Sequence, residues 1–155
     1  METYRIEQRQ VTECHTAVVR ATVTVSDMGG FVGPAIGTVA QALAQQRLEP
    51  IGPPFARYHR TGGQEFDVEA GFATAAEVAP SGDVRASTLP GGEAGVLTYL
   101  GPYDEMEPAY GALEEWVARR GGRVTGDPWE VYFSDPAQEP DPRAWRTEIV
   151  LPFEV

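Results

Sequence analysis

An internal repeat constrains the fold of this chain more than any other feature of its sequence. Gly33-Pro34-Ala35-Ile36-Gly37 recurs 74 residues later as Glu107-Pro108-Ala109-Tyr110-Gly111. At the same spacing, Gly52-Pro53-Pro54-Phe55-Ala56-Arg57-Tyr58 recurs as Gly126-Asp127-Pro128-Trp129-Glu130-Val131-Tyr132. A chance match rarely keeps one register over a helix and the strand that follows it. Two copies predict a domain with a pseudo-twofold axis, because a solenoid needs three or more repeats.

A third match extends the repeat towards the end of the chain. Val68-Glu69-Ala70-Gly71-Phe72 resembles Ile149-Val150-Leu151-Pro152-Phe153, after a connecting loop that is longer in the second copy. The repeats therefore span about residues 11–75 and 84–155, and both belong to one predicted α+β domain that covers residues 1–155. Each copy is predicted to run strand, helix, strand, strand.

The first copy shows clear helix and strand signals. Strands are predicted at 16–25, 55–60 and 66–74, where β-branched and aromatic residues concentrate. Residues 27–30 contain Gly29-Gly30 and are predicted to end the first strand, so that the helix covers about 31–46. The predicted apolar face of that helix consists of Ile36, Val39, Ala40 and Leu43.

The second copy has matching signals. Strands are predicted at 84–89, 93–100, 129–133 and 145–151, with an irregular proline-rich loop over 134–142. Its helix is predicted to begin with Asp104 as the N-cap and to end at Gly121-Gly122. The predicted apolar face of that helix consists of Tyr110, Leu113, Trp116 and Val117.

Glu130 is the strongest candidate for a functional residue. Because side chains alternate along a strand, Glu130 and Tyr132 are predicted to share one face, while Trp129, Val131 and Phe133 pack on a core. A carboxylate among aromatic rings favours a lipophilic cation. The alternative is a solvated glutamate on an ordinary strand.

Four aromatic residues are further candidates for ligand contact. The repeat places Tyr58 at the position that corresponds to Tyr132. Tyr110 and Trp116 share one helical stripe and either contact the ligand or belong to the core. Tyr103, near the start of the helix, either lines the rim of a cleft or only packs against the helix.

Charge and composition exclude several classes of function. The net charge is −11, which disfavours direct binding to nucleic acid and attracts cations. The chain has no lysine, so Schiff-base and phosphate-loop chemistry are excluded. Cys14, His15 and His59 do not show metal-ligand spacing, and we expect no metal and no cofactor. The lone cysteine, the polar N-terminus and the lack of an apolar run of roughly 18 residues favour a cytoplasmic protein without a membrane anchor.

Several short strings in the second copy resemble one family. Leu89-Pro90-Gly91-Gly92, Tyr99-Leu100-Gly101-Pro102-Tyr103 and Glu130-Val131-Tyr132 look like the gyrase-inhibitor-like (GyrI-like) small-molecule-binding domains. The same SOUL/GyrI-like fold serves as the effector-binding domain of MerR-type and AraC-type multidrug regulators. The resemblance implies a curved antiparallel sheet with two helices, and a ligand cleft between the repeats that contains an acidic residue at the position of Glu130. Because the fold begins almost at Met1, we expect a stand-alone version.

Three functions follow from the resemblance. The first is binding of a small organic molecule, lipophilic and either cationic or aromatic, for sensing, sequestration or toxin resistance. The second is hydrolysis of strained natural products of the cyclopropanoid type, with Glu130 as general acid or base. The third is an interaction with a larger protein, either DNA gyrase or a separate regulator.

Overall fold

The computed structural model describes residues 4–135 and 137–155. The first three residues of the predicted domain and Pro136 of the predicted loop lie outside this description. Over the described residues the chain has the expected α+β composition, with nine strands in antiparallel ladders and two helices. The strands are β1 (Arg5–Val11), β2 (Cys14–Thr24), β3 (Phe55–Arg60), β4 (Glu65–Thr74), β5 (Val84–Leu89), β6 (Gly92–Leu100), β7 (Arg123–Val124), β8 (Trp129–Tyr132) and β9 (Arg146–Glu154), and the helices are α1 (Met28–Gln45) and α2 (Glu107–Arg119). Neither helix has the length and apolar composition that crossing a bilayer requires.

The chain divides into two compact units. The first unit comprises Thr12–Gly91, and the second comprises the segment up to Val11 together with Gly92–Val155. In the first unit the strands pair in the order β3-β4-β2-β5, and α1 packs on this sheet. In the second unit the order is β1-β6-β9-β8, with β7 also paired to β9 and with α2 packed on β6 and β9.

Strand pairing shows that the repeat is structural. In the first unit β2 is followed by α1, β3 and β4, and β4 pairs with both β2 and β3. In the second unit β6 is followed by α2, the two-residue β7, β8 and β9, and β9 pairs with both β6 and β8. The sequence spacing of 74 joins the last residues of the helices, Gln45 and Arg119, and also the first residues of the next strands, Phe55 and Trp129. The predicted strand-helix-strand-strand order is therefore confirmed in both copies, except that the short β7 of the second copy was not predicted.

The alignment of the last strand of each copy is wrong by two residues. Gly71 lies opposite Phe55, and Val150 lies opposite Trp129, so Gly71 corresponds to Val150. The sequence match instead placed Gly71 with Pro152. A shift of two residues leaves each side chain on its expected face, because strand side chains alternate with a period of two. The hydrophobic pattern therefore could not reveal the error.

Two strands pair away from the element that follows them in the sequence. β1 precedes the first copy and β5 precedes β6, yet each forms its ladder in the unit of the other copy. β1 precedes β2 along the chain but forms its ladder with β6 in the second unit. β5, which the repeat pattern places at the start of the second copy, forms its ladder with β2 in the first unit. β1 was not predicted from the sequence, because its residues are mostly polar and only Ile6 and the terminal Val11 are strongly apolar.

Both helices begin where the sequence did not predict. α1 starts at Met28 and includes Gly29-Gly30, because glycine lowers helix stability by about 1 kcal/mol but does not forbid a helix. The predicted N-cap, Asp104, instead lies in the 3-10 turn Tyr103–Glu105. Met106 occupies the N-cap of α2, and no side chain caps it there.

The buried faces of the helices correspond residue by residue. α1 buries Ala35, Val39 and Leu43, and α2 buries Ala109, Leu113 and Val117, which are 74 residues further on; α1 also buries Ala42, whose counterpart Trp116 is half-buried. The predicted face of α1 was partly wrong, because Ile36 is only half-buried and Ala40 is exposed.

Candidate functional site

β8 places Glu130 on the face of the second unit's sheet that α2 covers. Glu130 lies opposite Ile149, which belongs to the core between α2 and the sheet, and Tyr132 lies opposite the buried Thr147. Val131 points to the other face, opposite Glu148. The helix face of this unit therefore holds a carboxylate next to an otherwise apolar core.

Two tyrosines donate hydrogen bonds to the carboxylate of Glu130. The Tyr132 hydroxyl donates to Oε1 at 2.8 Å, from two residues along the same strand. The Tyr110 hydroxyl, from α2, donates to Oε2. All three side chains are half-buried. Since a strand and a helix each supply one donor, the orientation of the carboxylate is fixed by the packing of α2 on the sheet.

Two more aromatic rings extend the group. The Tyr103 ring contacts that of Tyr132 edge to face, with 5.5 Å between centroids, and stacks on Trp145 at 4.9 Å. The Trp145 Nε1 donates to the backbone oxygen of Glu139 at 2.9 Å, which holds the indole at the end of the loop. We call the following five residues the Glu130 cluster: Tyr103, Tyr110, Glu130, Tyr132 and Trp145.

The electrostatics of the cluster favour a neutral Tyr103 beside one carboxyl group. Burial raises the pKa of Tyr103, and the negative charges of Glu130 and Asp135 raise it further. Tyr103 therefore keeps its proton at neutral pH. The five side chains contain one carboxyl group and no basic group, so the charge of the cluster itself attracts a cationic ligand.

Trp116 lies outside the Glu130 cluster, and Tyr58 belongs to the first unit. Trp116 contacts Phe153 edge to face at 5.5 Å, and the Arg120 guanidinium lies 4.0 Å from its ring centroid, so this indole packs between α2 and the sheet. Tyr58 lies in the first unit, on β3 opposite Val68. Within the second unit, the structure brings together four of the five predicted site residues that lie there, Glu130, Tyr132, Tyr110 and Tyr103.

Sequence reasoning missed Trp145 and misplaced Phe133. Trp145 comes directly before β9, after the proline-rich loop, and only its size and its position at a loop end could have indicated a role. Phe133 was predicted to pack in the core, but β8 ends at Tyr132 and Phe133 is 42% exposed. Its ring instead lies 4.6 Å from the Arg146 guanidinium.

The cysteine and histidines show no sign of a reactive or metal site. Cys14 is half-buried, and burial raises the pKa of its thiol, which disfavours the nucleophilic thiolate. Across residues 4–135 and 137–155, His, Cys, Asp and Glu form no group of three that could hold a metal ion.

The whole described length matches one family. The model of the GyrI-like small molecule binding domain matches residues 4–154, and the chain belongs to this family. A search of curated proteins found no match.

Several solved structures share the fold of this chain. The C-terminal domain of EcmrR is 26% identical, with a TM-score of 0.86, and the match covers 99% of both chains. In the EcmrR–DNA complex the identity is 25% and the TM-score 0.84, over 97% of this chain but only 57% of the EcmrR chain. A hydrolase from Listeria innocua (14% identity, TM-score 0.70, 97% of this chain and 92% of that one) and SAV2435 bound to tetraphenylphosphonium (10%, 0.64, 99% and 94%) share the fold.

Proposed function

We propose that this chain binds lipophilic small molecules, cationic or aromatic, at the Glu130 cluster. The proposed role in the cell is sensing, sequestration or toxin resistance in the cytoplasm. The observation that carries the proposal is one half-buried carboxylate, Glu130, held by two tyrosine hydroxyls beside two further aromatic rings. Membership of a small-molecule-binding family supports ligand binding in general, and the cluster narrows the chemistry of the ligand.

The hydrogen bonds to Glu130 support a cation in particular. Each carboxylate oxygen accepts one tyrosine hydroxyl, which holds the negatively charged group in place. The neutral Tyr103 adds no competing charge, and its ring offers a π-face that attracts cations. Tyr103 is 38% exposed, so the cluster is partly open to solvent.

Calorimetric titration with two probes of similar shape tests the proposal. Tetraphenylphosphonium supplies a lipophilic cation, and triphenylphosphine oxide supplies a neutral analogue. We expect Glu130→Gln to weaken binding of the cation more than tenfold, about 1.4 kcal/mol, and to leave the neutral compound little changed. The matched control is Glu69→Gln, which removes another half-buried strand carboxylate that accepts a hydroxyl donor, from Ser87.

Two results would contradict the proposal. Equal affinity of the cation for wild type and Glu130→Gln, at matched ionic strength, would remove this carboxylate from the binding site. A larger loss in Glu69→Gln than in Glu130→Gln would place the site in the first unit instead.

Hydrolysis is a second candidate, because Glu130 and the two phenols could move a proton during a reaction. In such a reaction, a water oxygen would bond to a ring carbon of a strained substrate while the ring bond breaks. Glu130 would accept a proton from the attacking water and pass a proton to the departing ring atom, and a tyrosine hydroxyl would stabilise developing oxygen charge. Ring-opening rates for cyclopropane and epoxide compounds decide the matter. If wild type is no faster than Glu130→Gln or buffer, only the binding function stands.

A further inference from the structure

β1 forms an edge of the second unit's sheet with an unusual charge pattern. Its seven residues, Arg5–Val11, form a ladder with β6, and within the described part of the chain this is the ladder that β1 makes. The opposite edge of β1 therefore presents backbone N–H and C=O groups. Such edges are common sites for pairing with another chain, unless side chains prevent it.

Opposite charges alternate along one face of β1. Arg5, Glu7 and Arg9 lie on the same face, and Glu7 pairs with Arg9. The side chains of Glu7 and Arg9 are 48% and 40% exposed. Arg9 also bonds to the buried Glu148 at 3.0 Å, which anchors the guanidinium to the sheet.

We propose that β1 is a docking edge for a second copy of this chain. The two β1 strands would pair antiparallel about a twofold axis that passes between the two Gln8 residues. Each Glu7 would then lie directly opposite the partner's Arg9, so that two ion pairs form across the axis. Directly opposite side chains are about 4.5–5.5 Å apart at Cβ, closer than residues two apart on one strand.

The charges and the length of β1 together select one register. Opposite residues in a sheet share a face, so a symmetric pair must be centred on a residue. A centre at Glu7 sets Glu7 against itself and Arg5 against Arg9, and a centre at Arg9 sets Arg9 against itself. Only the centre at Gln8 pairs all seven residues and opposes every Glu7 to an arginine.

The corresponding edge of the first unit lacks this pattern. β5 lies at the edge beside β2, and its only charged residue is Arg85. Self-pairing of β5 would gain no opposite-charge contact. The complementary charges therefore distinguish β1 as the edge that fits a second copy.

The dimer should be weak, because a seven-residue ladder buries less than the roughly 1,200 Å² of a stable interface. Sedimentation velocity on the full chain, from about 5 to 500 µM, should show a concentration-dependent dimer. Glu7→Arg sets like charges against each other twice, and we expect it to weaken the dimer more than tenfold. Glu115→Arg makes the same change of charge on the exposed face of α2 and should have little effect. A wild type that stays monomeric over this range, or a dimer unaffected by Glu7→Arg, would overturn the proposal.

Disulfide trapping tests the register independently. In a Cys14→Ser background, Gln8→Cys places one thiol opposite the same thiol of the partner and should form a cross-linked dimer on mild oxidation. Gln10→Cys should cross-link poorly, because the residue opposite it is Ile6. Both glutamines are exposed, so both variants should fold, which thermal melting can verify. Cross-linking that is stronger at position 10 than at position 8 would contradict the proposed register.

Discussion

The same strand position carries a carboxylate in the second unit and only a methyl group in the first. Glu130 corresponds to Ala56, which is fully buried. The donor that Tyr110 supplies from α2 is also missing, because Ile36 stands at the equivalent position of α1. Acceptor and donor therefore differ together between the units. The polar cluster therefore depends on two side chains that differ together between the units, and the shared backbone alone does not produce it.

The contact between helix and sheet also differs between the units. In the second unit Trp116 packs over Gly95, and a β-carbon at that glycine would lie 2.9 Å from the indole. At the equivalent positions of the first unit, Ala42 and Ala17 are both buried in one core. The second unit thus has a large residue (Trp116) opposite glycine where the first unit has two alanines, and the space between helix and sheet is filled in both.

A carboxylate placed at the equivalent position of the first unit should lower the free energy of unfolding more than any other change considered below. Ala56→Glu would bury a charge without the tyrosine donor that α2 provides, so we expect the free energy of unfolding to fall by about 3–5 kcal/mol in urea titrations. Adding Ile36→Tyr should recover part of this loss. A loss of unfolding free energy below about 1 kcal/mol would contradict this prediction, because it would show that position 56 accepts a carboxylate almost as well as position 130 does.

Alanine at two glycines should destabilise the units unequally. A β-carbon at Gly71 would lie 1.9 Å from the backbone oxygen of Ala17, whereas Gly95 faces side-chain atoms of Trp116 and Leu113 that can shift. We expect Gly71→Ala to cost about 3 kcal/mol and Gly95→Ala about 1–2 kcal/mol of unfolding free energy. Equal losses, or the reverse order, would contradict this difference in local packing.

A double-mutant cycle measures the hydrogen bond from Tyr132 to Glu130. We expect Tyr132→Phe and Glu130→Gln to couple by about 1 kcal/mol in unfolding free energy, because each removes one partner of the same bond. Tyr99→Phe is the control, since its hydroxyl donates to the Pro102 oxygen at 2.7 Å. Coupling between Tyr99 and Glu130 as large as that of Tyr132 would show a general effect of the substitutions.

The smallest expected effect is the change in the pKa of Tyr103 when Glu130 is replaced by glutamine. Because burial is the larger cause of its raised pKa, Glu130→Gln should lower the pKa only part of the way towards its ordinary value near 10. A raised pKa favours the protonated phenol in the folded state, so this stabilisation is complete below pH 10 and is lost as pH rises through the folded pKa. NMR titration of the tyrosine ring carbons measures it. If the pKa of Tyr103 is unchanged in Glu130→Gln, the charge of Glu130 does not act on Tyr103.

The residues of the site differed in how far they could be predicted. Glu130 and Tyr132 were predicted to share a face, because alternation along a strand depends only on local backbone geometry. The contact of Tyr110 with Glu130 requires α2 to pack at one angle and depth on the sheet. Trp145 reaches Tyr103 only through the path of the proline-rich loop, which has no periodic signal.

The sequence by itself determined the two copies and the order of their strands and helices. It did so because a constant spacing of 74 residues and the periods of helix and strand are local properties that survive without any knowledge of contacts. Tertiary structure alone decided the two-residue shift of the last strand and the pairing of β1 and β5. It also decided which aromatic rings surround Glu130. These features depend on hydrogen-bond registers and on packing between distant segments, which hydrophobic periodicity does not specify.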